Sequence, residues 1–201
     1  MSTIKPIWPP SLLGRNVRQS HPEFVARMEA LAMQNQTRLL DKNSAVTLRE
    51  VSPHNLRAVC WLDVAPGQDG LVAPNAFSIA QAHFHQEAWF RAVYADEMPV
   101  GFVMLEDPQQ VTSAAPKLHH GESYIALWRF MIDTRYQKYG YGAQAIKLLL
   151  THAKSRGAEI MLLSFVPKEN NPELFYARMG FTRNGEMDDD EVVMTQRLGT
   201  K

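Results

Sequence analysis

The feature that most constrains this chain is a pair of glycines between a strand pattern and a helix pattern. An apolar run ends at Asp133, basic and aromatic residues follow, and Gly140 and Gly142 stand one residue apart before a helical stripe. Glycine tolerates positive φ and lets a ligand approach the backbone. The first amides of a helix have no intrahelical partner and carry a partial positive charge. The turn therefore predicts a binding site for an anion such as phosphate.

Two stricter phosphate-binding motifs do not fit this turn. It lacks the third glycine and the later acidic residue of a dinucleotide fingerprint, and no Gly-Lys-Ser/Thr sequence follows as in a P-loop. By spacing alone, a glycine-rich turn without any ligand is an equally good interpretation. Lys138 adds a positive charge beside the glycines and favours the anion site.

Composition excludes several classes of function. The chain has 201 residues, 45% of them hydrophobic, and its 21 basic residues equal its 21 acidic residues, so nothing favours nucleic-acid binding. Cys60 is the single cysteine, which rules out an internal disulfide and fits a reducing compartment. No secretory signal and no membrane-spanning run is visible. We therefore expect a cytoplasmic protein without nucleic-acid or membrane partners.

The N-terminal segment, residues 1–44, differs in kind from the rest. A proline-containing arm precedes a predicted helix from His21 to Leu40, which presents the apolar stripe Phe24, Met28 and Leu31. We expect this stripe to pack on the main domain or on a second subunit, as in a homodimer.

Residues 45–201 predict one domain with the element order β-α-α-β-β-β-α-β-α-β-β. Hairpins come first and a βαβ-like centre follows, so the fold class is α/β (α+β). The sheet is expected to be mixed but mostly antiparallel, with about seven strands flanked by helices, and the arm and helix of residues 1–44 are an extension of it.

The segment "QKYGYGA", Gln137 to Ala143, resembles the Q/R-x-x-G-x-G/A signature of the GCN5-related N-acetyltransferase (GNAT) superfamily. The later segment "LFYARMGF" resembles the family's Tyr-x-x-x-Gly-Phe close, and the element order agrees from about Ala45 to Leu198. More narrowly, "PVGFVML" and "LWRFMID" are similar to bacterial members that acetylate diamines, spermine or spermidine. The resemblance implies the GNAT fold and acetyl-CoA as co-substrate, with its pyrophosphate in the glycine turn.

The resemblance also implies site residues. A backbone N–H near Phe130 to Ile132 would hold the acetyl carbonyl, because the family's fourth strand splays there. Tyr176 matches the family's general acid. The implied cofactor-binding residues are Phe130, Met131, Ile132, Gln137, Lys138, Tyr139, Gly140, Tyr141, Gly142, Ala143 and Asn171.

The general base is not given by the resemblance. An alkyl ammonium group titrates near pH ~10, so a base or a chain of waters must remove its proton. Glu87, Glu106 and Glu122 stand next to strand ends, and one of them is expected to pair with Arg129, since a buried guanidinium needs a carboxylate. We favour Glu106 as the catalytic base, with a water-mediated route as the alternative.

The predicted function is an acetyl-CoA-dependent N-acetyltransferase acting on a small primary amine, polyamines or diamines first, by direct transfer in a ternary complex. Asp63, Asp69 and Glu87 are the candidate substrate-binding residues, because a polyamine's other ammonium groups need acidic partners. An aminoglycoside, an amino acid derivative or a protein amine are alternative substrates, and an acyl-CoA sensor without turnover is an alternative class. No metal is predicted, because the pairs His83/His85 and His119/His120 have no third ligand at a convincing spacing.

Overall fold

A seven-stranded sheet is the centre of the described part of this computed structural model, which covers residues 40–111 and 121–199. The strand order is β1-β2-β3-β4-β5-β7-β6, and every neighbouring pair is antiparallel except β4 and β5. The strands are β1 Val46–Arg49, β2 Ala88–Ala95, β3 Met98–Glu106, β4 Tyr124–Ile132, β5 Ile160–Phe165, β6 Thr182–Asp188 and β7 Glu191–Arg197. The predicted fold class, a mixed and mostly antiparallel sheet flanked by helices, is confirmed.

Helices cover both faces of the sheet. One face carries α3 (Tyr141–Ser155) and α4 (Glu173–Arg178), and the other carries α1 (Leu56–Cys60) and α2 (Asn75–Ala82). Successive side chains of a strand point to opposite faces. Accordingly, Val103 and Leu105 of β3 pack in the larger cluster under α3, while Phe102 and Met104 pack in the smaller cluster under α1 and α2. We call the latter the α1/α2 face.

Several boundaries differ from the prediction because turns are tighter than the sequence suggests. The β2–β3 turn is only Asp96 and Glu97, and Pro99 lies inside β3 at an irregularity in the β2–β3 register. A proline fits a strand at such a position, where no ladder hydrogen bond is required of it. The last hairpin turns at Asp189 and Asp190. After β1, Ser52 and Pro53 predict a helix to about Asp63, and the structure forms only the shorter α1.

Residues 1–39, which hold most of the predicted arm and helix, lie outside the described residues, so the expectation for Phe24, Met28 and Leu31 stays a prediction. The residues from Leu40 onward belong to one compact unit, and Leu40 itself packs against the core under α3. No helix among the described residues is long and apolar enough to span a membrane.

Candidate active site

The parallel strands β4 and β5 separate halfway along their length. They pair from Tyr124 to Leu127 of β4, opposite Ile160 to Leu163 of β5, and the pairing then stops although both strands continue. At the same level the β3–β4 register passes from Leu127 to Arg129 and leaves Trp128 without a partner, which is a β-bulge. Because bulges bend the strand that carries them, β4 leaves its neighbour here and a gap opens between the two strands.

The backbone of β4 turns free groups toward this gap. The N–H of Asp133 donates to the carbonyl of Val100 in β3 at 2.9 Å. Backbone groups of successive residues in an antiparallel strand point alternately to either side, so the amides of Ile132 and Phe130 point away from β3 and into the gap. Gln137 Nε2 donates to the Ile132 carbonyl at 2.9 Å. The N–H of Phe130 therefore faces the gap as a donor.

The glycine turn has the backbone that its sequence predicts. Lys138 and Gly140 have φ of 68° and 87°, and Gly140 is the N-cap of α3. No side chain caps this helix start, so the amides of its first turn keep their hydrogen-bonding capacity. A Cβ placed on Gly140 would meet no atom within 4 Å, so there is open space in front of these amides. The turn fits an anion such as the pyrophosphate of acetyl-CoA.

Asp133 anchors the start of this turn. Its fully buried carboxylate accepts the backbone N–H of Asp63 at 3.0 Å, and the Nε and backbone N–H of Arg135 at 2.9 Å each. Burial alone would raise the pKa of Asp133, but the hydrogen bonds from Arg135 and from the two backbone amides hold that pKa below its usual value. The carboxylate thus stays charged and fixes the turn to the end of β4 and to the loop after α1.

Other implied cofactor residues already use their side chains within the protein. Gln137 Nε2 also donates to Gln68 Oε1 at 2.8 Å, which ties the turn to the loop between α1 and α2. The Tyr141 hydroxyl donates to the Asp41 carbonyl at 2.8 Å, and the ring of Tyr141 is buried. What Tyr141 can offer a ligand is therefore its backbone amide, while Tyr139 stacks on it with an exposed ring.

Asn171 organises the start of α4. Its Nδ2 donates to the Lys168 carbonyl at 2.7 Å, and its Oδ1 accepts the N–H of Glu173 at 3.0 Å. Both ends of this amide are engaged in the turn that Pro172 completes, which gives the side chain a local structural role. This turn uses one N–H of the Asn171 amide, and the role of Asn171 in cofactor binding stays a prediction.

Tyr176 lies on α4, on the face of the sheet that also carries α3. Its ring is buried against Phe175 and Phe181, with centroid distances of 5.2 and 5.9 Å. Phe175 in turn stacks on Phe130 of β4, with centroids 6.2 Å apart. These rings place Tyr176 beside the gap. Burial raises the pKa of the Tyr176 phenol, so the group stays protonated and can act only as a donor of its proton at neutral pH.

Glu106 lies on the opposite, α1/α2 face, where β3 ends. Burial raises its pKa first, and the nearby carboxylates of Glu87 and Asp188 raise it further, against a smaller opposing effect of His85. Glu87 is held in place by His85, whose Nδ1 lies 3.1 Å from its Oε1. Glu87 and Asp188 thus lie close enough to act on Glu106, and together with burial they shift the pKa of Glu106 toward neutral.

The three candidate substrate-binding acids lie at two separate ends of β4. Glu87 lies beside Glu106, since its carbonyl accepts the N–H of Asp107 at 2.8 Å. Asp63 lies at the other end of β4, bound to Asp133, and Asp69 follows Gln68 in the same loop. About six residues of β4 separate the two ends, or about 20 Å at ~3.3 Å per residue, so these acids cannot contact one ammonium group.

Two of the three glutamates expected to pair with Arg129 have other partners in the described structure, and Glu106 forms no ion pair with it there. Glu122 pairs with Arg197 at 2.5 Å, and Glu87 pairs with His85. Glu191 acts on Arg129 only through its field. Glu191 itself accepts a short hydrogen bond from the Ser164 hydroxyl. We did not single out Ser164 from the sequence, although it is the one polar residue of the β5 run "IMLLSF" and this was a usable signal.

Histidines do not form a metal cluster in the described ranges, which contain no group of three or more His, Cys, Asp or Glu arranged to hold an ion. His85 contacts Glu87 and the edge of Trp128, with ring centroids 5.0 Å apart, and His83 packs on Phe84.

A family model described as "Acetyltransferase (GNAT) family" matches residues 49–181 of this chain. The spermine/spermidine N(1)-acetyltransferase of Bacillus subtilis (strain 168) is 26% identical over 161 residues, which are 77% of this chain and 99% of that protein.

Two solved structures share the fold. An acetyltransferase from Thermus thermophilus matches with a TM-score of 0.57 at 13% identity, over 76% of this chain and 97% of that chain. The PaiA N-acetyltransferase from Thermoplasma acidophilum, solved in complex with coenzyme A, matches with a TM-score of 0.52 at 15% identity, over 76% and 99%.

Proposed function

The chain belongs to the GNAT acetyltransferase family, and from that premise we propose that it transfers the acetyl group of acetyl-CoA to a primary amine of a small molecule. The observation that carries the proposal is the gap between β4 and β5, which leaves the Phe130 N–H free between the uncapped start of α3 and the buried Tyr176. Polyamines and diamines are the favoured acceptors, and transfer is direct, within a ternary complex.

Acetyl-CoA would supply an acetyl group activated as a thioester. The amides of Tyr141, Gly142 and Ala143 would hold its pyrophosphate, since they begin α3 without a side-chain cap. Gly142 lets the helix start approach α4, because a Cβ there would lie 3.4 Å from the Phe175 ring. The exposed Lys138 adds a positive charge at the same place. Gln137 positions the turn through its two hydrogen bonds.

Phe130 and Tyr176 would act on different atoms of the thioester. The N–H of Phe130 would hold the carbonyl oxygen, and such a donor stabilises the charge that develops there. The Tyr176 hydroxyl would give its proton to the leaving thiolate, for which a phenol kept neutral by burial is suited. Met131 lies with its side chain in the smaller core cluster and Ile132 in the larger one, so both support β4 as a rigid edge of the gap.

Glu106 is the proposed general base. A base works best when its pKa lies near the working pH, and burial together with Glu87 and Asp188 shifts the pKa of Glu106 in that direction. Glu106 pairs with Ala126, about three residues along the sheet from the level of Phe130, so a water molecule would carry the proton over the remaining distance. The proposed proton path therefore combines the two alternatives from the sequence, a glutamate base and a chain of waters.

Replacing Glu106 by glutamine is expected to lower turnover by about tenfold, less than the 10²–10⁴ usual for such groups, because water can take over part of the role.

The same change should raise the thermal unfolding midpoint at pH 7. The pKa of this carboxyl in the folded protein is raised above its ordinary value of 4.5. Such a group stabilises the folded protein at pH values below 4.5, and this stabilisation is lost as the pH rises through the raised pKa of the folded state. The neutral amide avoids this loss.

Calorimetric scans at pH 4 and pH 7 measure the unfolding midpoint. The increase in midpoint caused by Glu106→Gln should be smaller at pH 4 than at pH 7. Glu97→Gln is the matched control with opposite sign, because the hydrogen bond from Arg49 holds the pKa of Glu97 below its ordinary value. Equal turnover in Glu106→Gln and the unsubstituted protein would remove Glu106 from the mechanism.

Two observations support polyamines and diamines as acceptors. The B. subtilis relative is named for spermine and spermidine. On this chain, Glu87 and Asp188 lie close enough to Glu106 to raise its pKa, so their charges lie where the ammonium groups of an extended substrate would need partners. Asp63 and Asp69 lie too far away to share in this.

The double substitution Glu87→Gln and Asp188→Asn is expected to raise the KM for spermine by about fivefold, the equivalent of ~1 kcal/mol for exposed charge pairs. The effect should fade between 0.1 M and 1 M salt, as the Debye length falls from about 10 Å to about 3 Å. Steady-state kinetics with a monoamine provides the reference, since its KM should hardly change. The double substitution Asp63→Asn and Asp69→Asn is the matched control. An equal rise in the KM for spermine in this control would contradict a specific role of Glu87 and Asp188 in binding the substrate's ammonium groups.

Release of CoA thiol in the presence of spermine, spermidine, a diamine, a monoamine and an aminoglycoside tests the function itself. Release with the polyamines supports the proposal. Release with the aminoglycoside or monoamine alone would move the substrate to another class, and binding of acetyl-CoA without turnover of any amine, including peptide amines, would favour an acyl-CoA sensor.

A further inference from the structure

Arg129 is a cation in the middle of the α1/α2 face that forms no ion pair with any residue in the described ranges. It follows the bulged Trp128 and precedes Phe130, at the level where β4 leaves β5. Its Nη1 donates to the Trp128 carbonyl at 2.8 Å, and its Nη2 makes a long contact of 3.4 Å with Gln81 Oε1 of α2. The contact with α2 places the guanidinium on the same face as Glu106.

The hydrogen-bonding capacity of this side chain is only partly used. The buried Nε of Arg129 has no acceptor among the described residues. Burial lowers the pKa of the guanidinium, an effect that the field of Glu191 offsets only in part. A guanidinium remains charged at neutral pH even so. Leaving a desolvated charge and a buried donor unsatisfied is costly, so the arrangement indicates a group that arrives from outside the chain.

The charges around Arg129 limit what this group can be. Arg129 lies opposite Met104 of β3, and Glu106 is the second residue further along that strand on the same face. Their Cα atoms are therefore about 8 Å apart, from ~3.3 Å per residue along the strand and ~4.8 Å between strands. Beyond Glu106 lies Glu87, whose carbonyl accepts the N–H of Asp107. Asp188 pairs with Glu191, whose field reaches Arg129. One end of the face thus offers a guanidinium beside Phe130, and the other end offers carboxylates.

We infer that Arg129 is a carboxylate subsite, so that the acceptor site takes α,ω-diamino carboxylic acids in addition to simple diamines. The substrate's carboxylate lies against Arg129, the amine beside it reaches the level of Phe130, and the distal ammonium extends toward Glu87. This inference rests on the proposed function. In the transfer, one proton of the substrate's ammonium group passes toward Glu106 and leaves the attacking amine, the C–S bond of the thioester breaks and an N–C bond forms. Tyr176 gives its proton to the thiolate, and the second proton lost by the nitrogen restores the Tyr176 hydroxyl.

Ornithine and putrescine form a matched pair of probes, because they differ only in the carboxylate. Steady-state kinetics of Arg129→Gln should show kcat/KM for ornithine reduced by about 10–100-fold, as expected for hydrogen bonds to charged groups, with the value for putrescine nearly unchanged. Arg129→Lys keeps the charge but not the planar fork, so it should retain part of the ornithine activity. Affinity for acetyl-CoA and the unfolding midpoint report whether either variant remains folded.

Arg91→Gln is the control substitution. Arg91 also lies in a strand and donates Nη1 to the carbonyl of the preceding residue, Phe90, at 2.8 Å. It lies over Trp89, which stacks on His152 of α3, so it belongs to the opposite face. Neither probe should be affected by this change.

Three outcomes would overturn the inference. One is an equal loss for both probes in Arg129→Gln, which would make Arg129 a support of the Trp128 bulge. Another is acetylation of putrescine but not ornithine by the unsubstituted protein. If no amine is acetylated at all, the proposed function fails, but this inference can still be tested by calorimetric titration with ornithine and with putrescine. The third overturning outcome is that ornithine binds no more tightly than putrescine, or that its tighter binding does not depend on Arg129.

Discussion

Replacing Tyr176 by phenylalanine is expected to lower the rate of acetyl transfer by about 10²–10⁴-fold while affinity for acetyl-CoA stays nearly the same. The ring and its packing on Phe175 and Phe181 remain, and only the hydroxyl is lost. The hydroxyl matters when charge develops on the leaving sulfur, because burial keeps the pKa of this phenol high and the group protonated. Single-turnover kinetics measures the chemical step, and calorimetric titration measures the affinity.

Tyr94→Phe is the matched control for this change. Tyr94 is a buried tyrosine of β2, but it lies on the α1/α2 face under the guanidinium of Arg49. Loss of the Tyr94 hydroxyl should change neither the rate of acetyl transfer nor the affinity for acetyl-CoA. A single-turnover rate close to that of the unsubstituted protein in Tyr176→Phe would show that another group protonates the thiolate.

Replacing Gly140 by valine is expected to weaken acetyl-CoA binding by about tenfold or more, the equivalent of at least ~1.4 kcal/mol. Gly140 has φ of 87°, which a β-branched residue adopts only with strain. A Cβ at this position would meet no neighbouring atom within 4 Å, so the valine would begin in the open space where the pyrophosphate is expected. The fold should survive, because nothing in the core is displaced.

Gly157→Val separates strain from obstruction. Gly157 has φ of 78° and equally open surroundings, but it lies just beyond the opposite end of the same helix. Both variants should lose a similar amount of stability in calorimetric scans, and only Gly140→Val should lose affinity for acetyl-CoA in titrations. Unchanged affinity in a folded Gly140→Val protein would be incompatible with a pyrophosphate site at this turn.

Much of the fold could be predicted because its signals are local. The almost uninterrupted apolar run of β5 indicated a strand covered on both faces, and β5 does lie between helices in the interior of the sheet. The pair of glycines indicated a turn with positive φ before a helix, and Gly140 has that conformation. Such features depend on residues a few positions apart, for which the sequence order is also the spatial order.

The candidate site was predictable only in part. The residues of the glycine turn and Tyr176 were found through their resemblance to a family signature, and their roles in the reaction stay predictions. The bulge at Trp128 could not be predicted, since it arises from a mismatch between two strands and has no local sequence signal. Asn171 was expected to bind the cofactor, and this role stays a prediction, while its amide makes two local hydrogen bonds in the turn next to Pro172.

By itself, the sequence determined the element order, the buried faces and the anion-binding turn, because periodicity and glycine conformation act within one segment of chain. Only the tertiary structure decided which charges meet. It placed Glu106 beside Glu87 and Asp188, removed Asp63 and Asp69 to the far end of β4, and left Arg129 without the glutamate expected for it among the described residues. These relations join residues of different strands, and strand register, rather than distance along the chain, sets how far apart such residues lie.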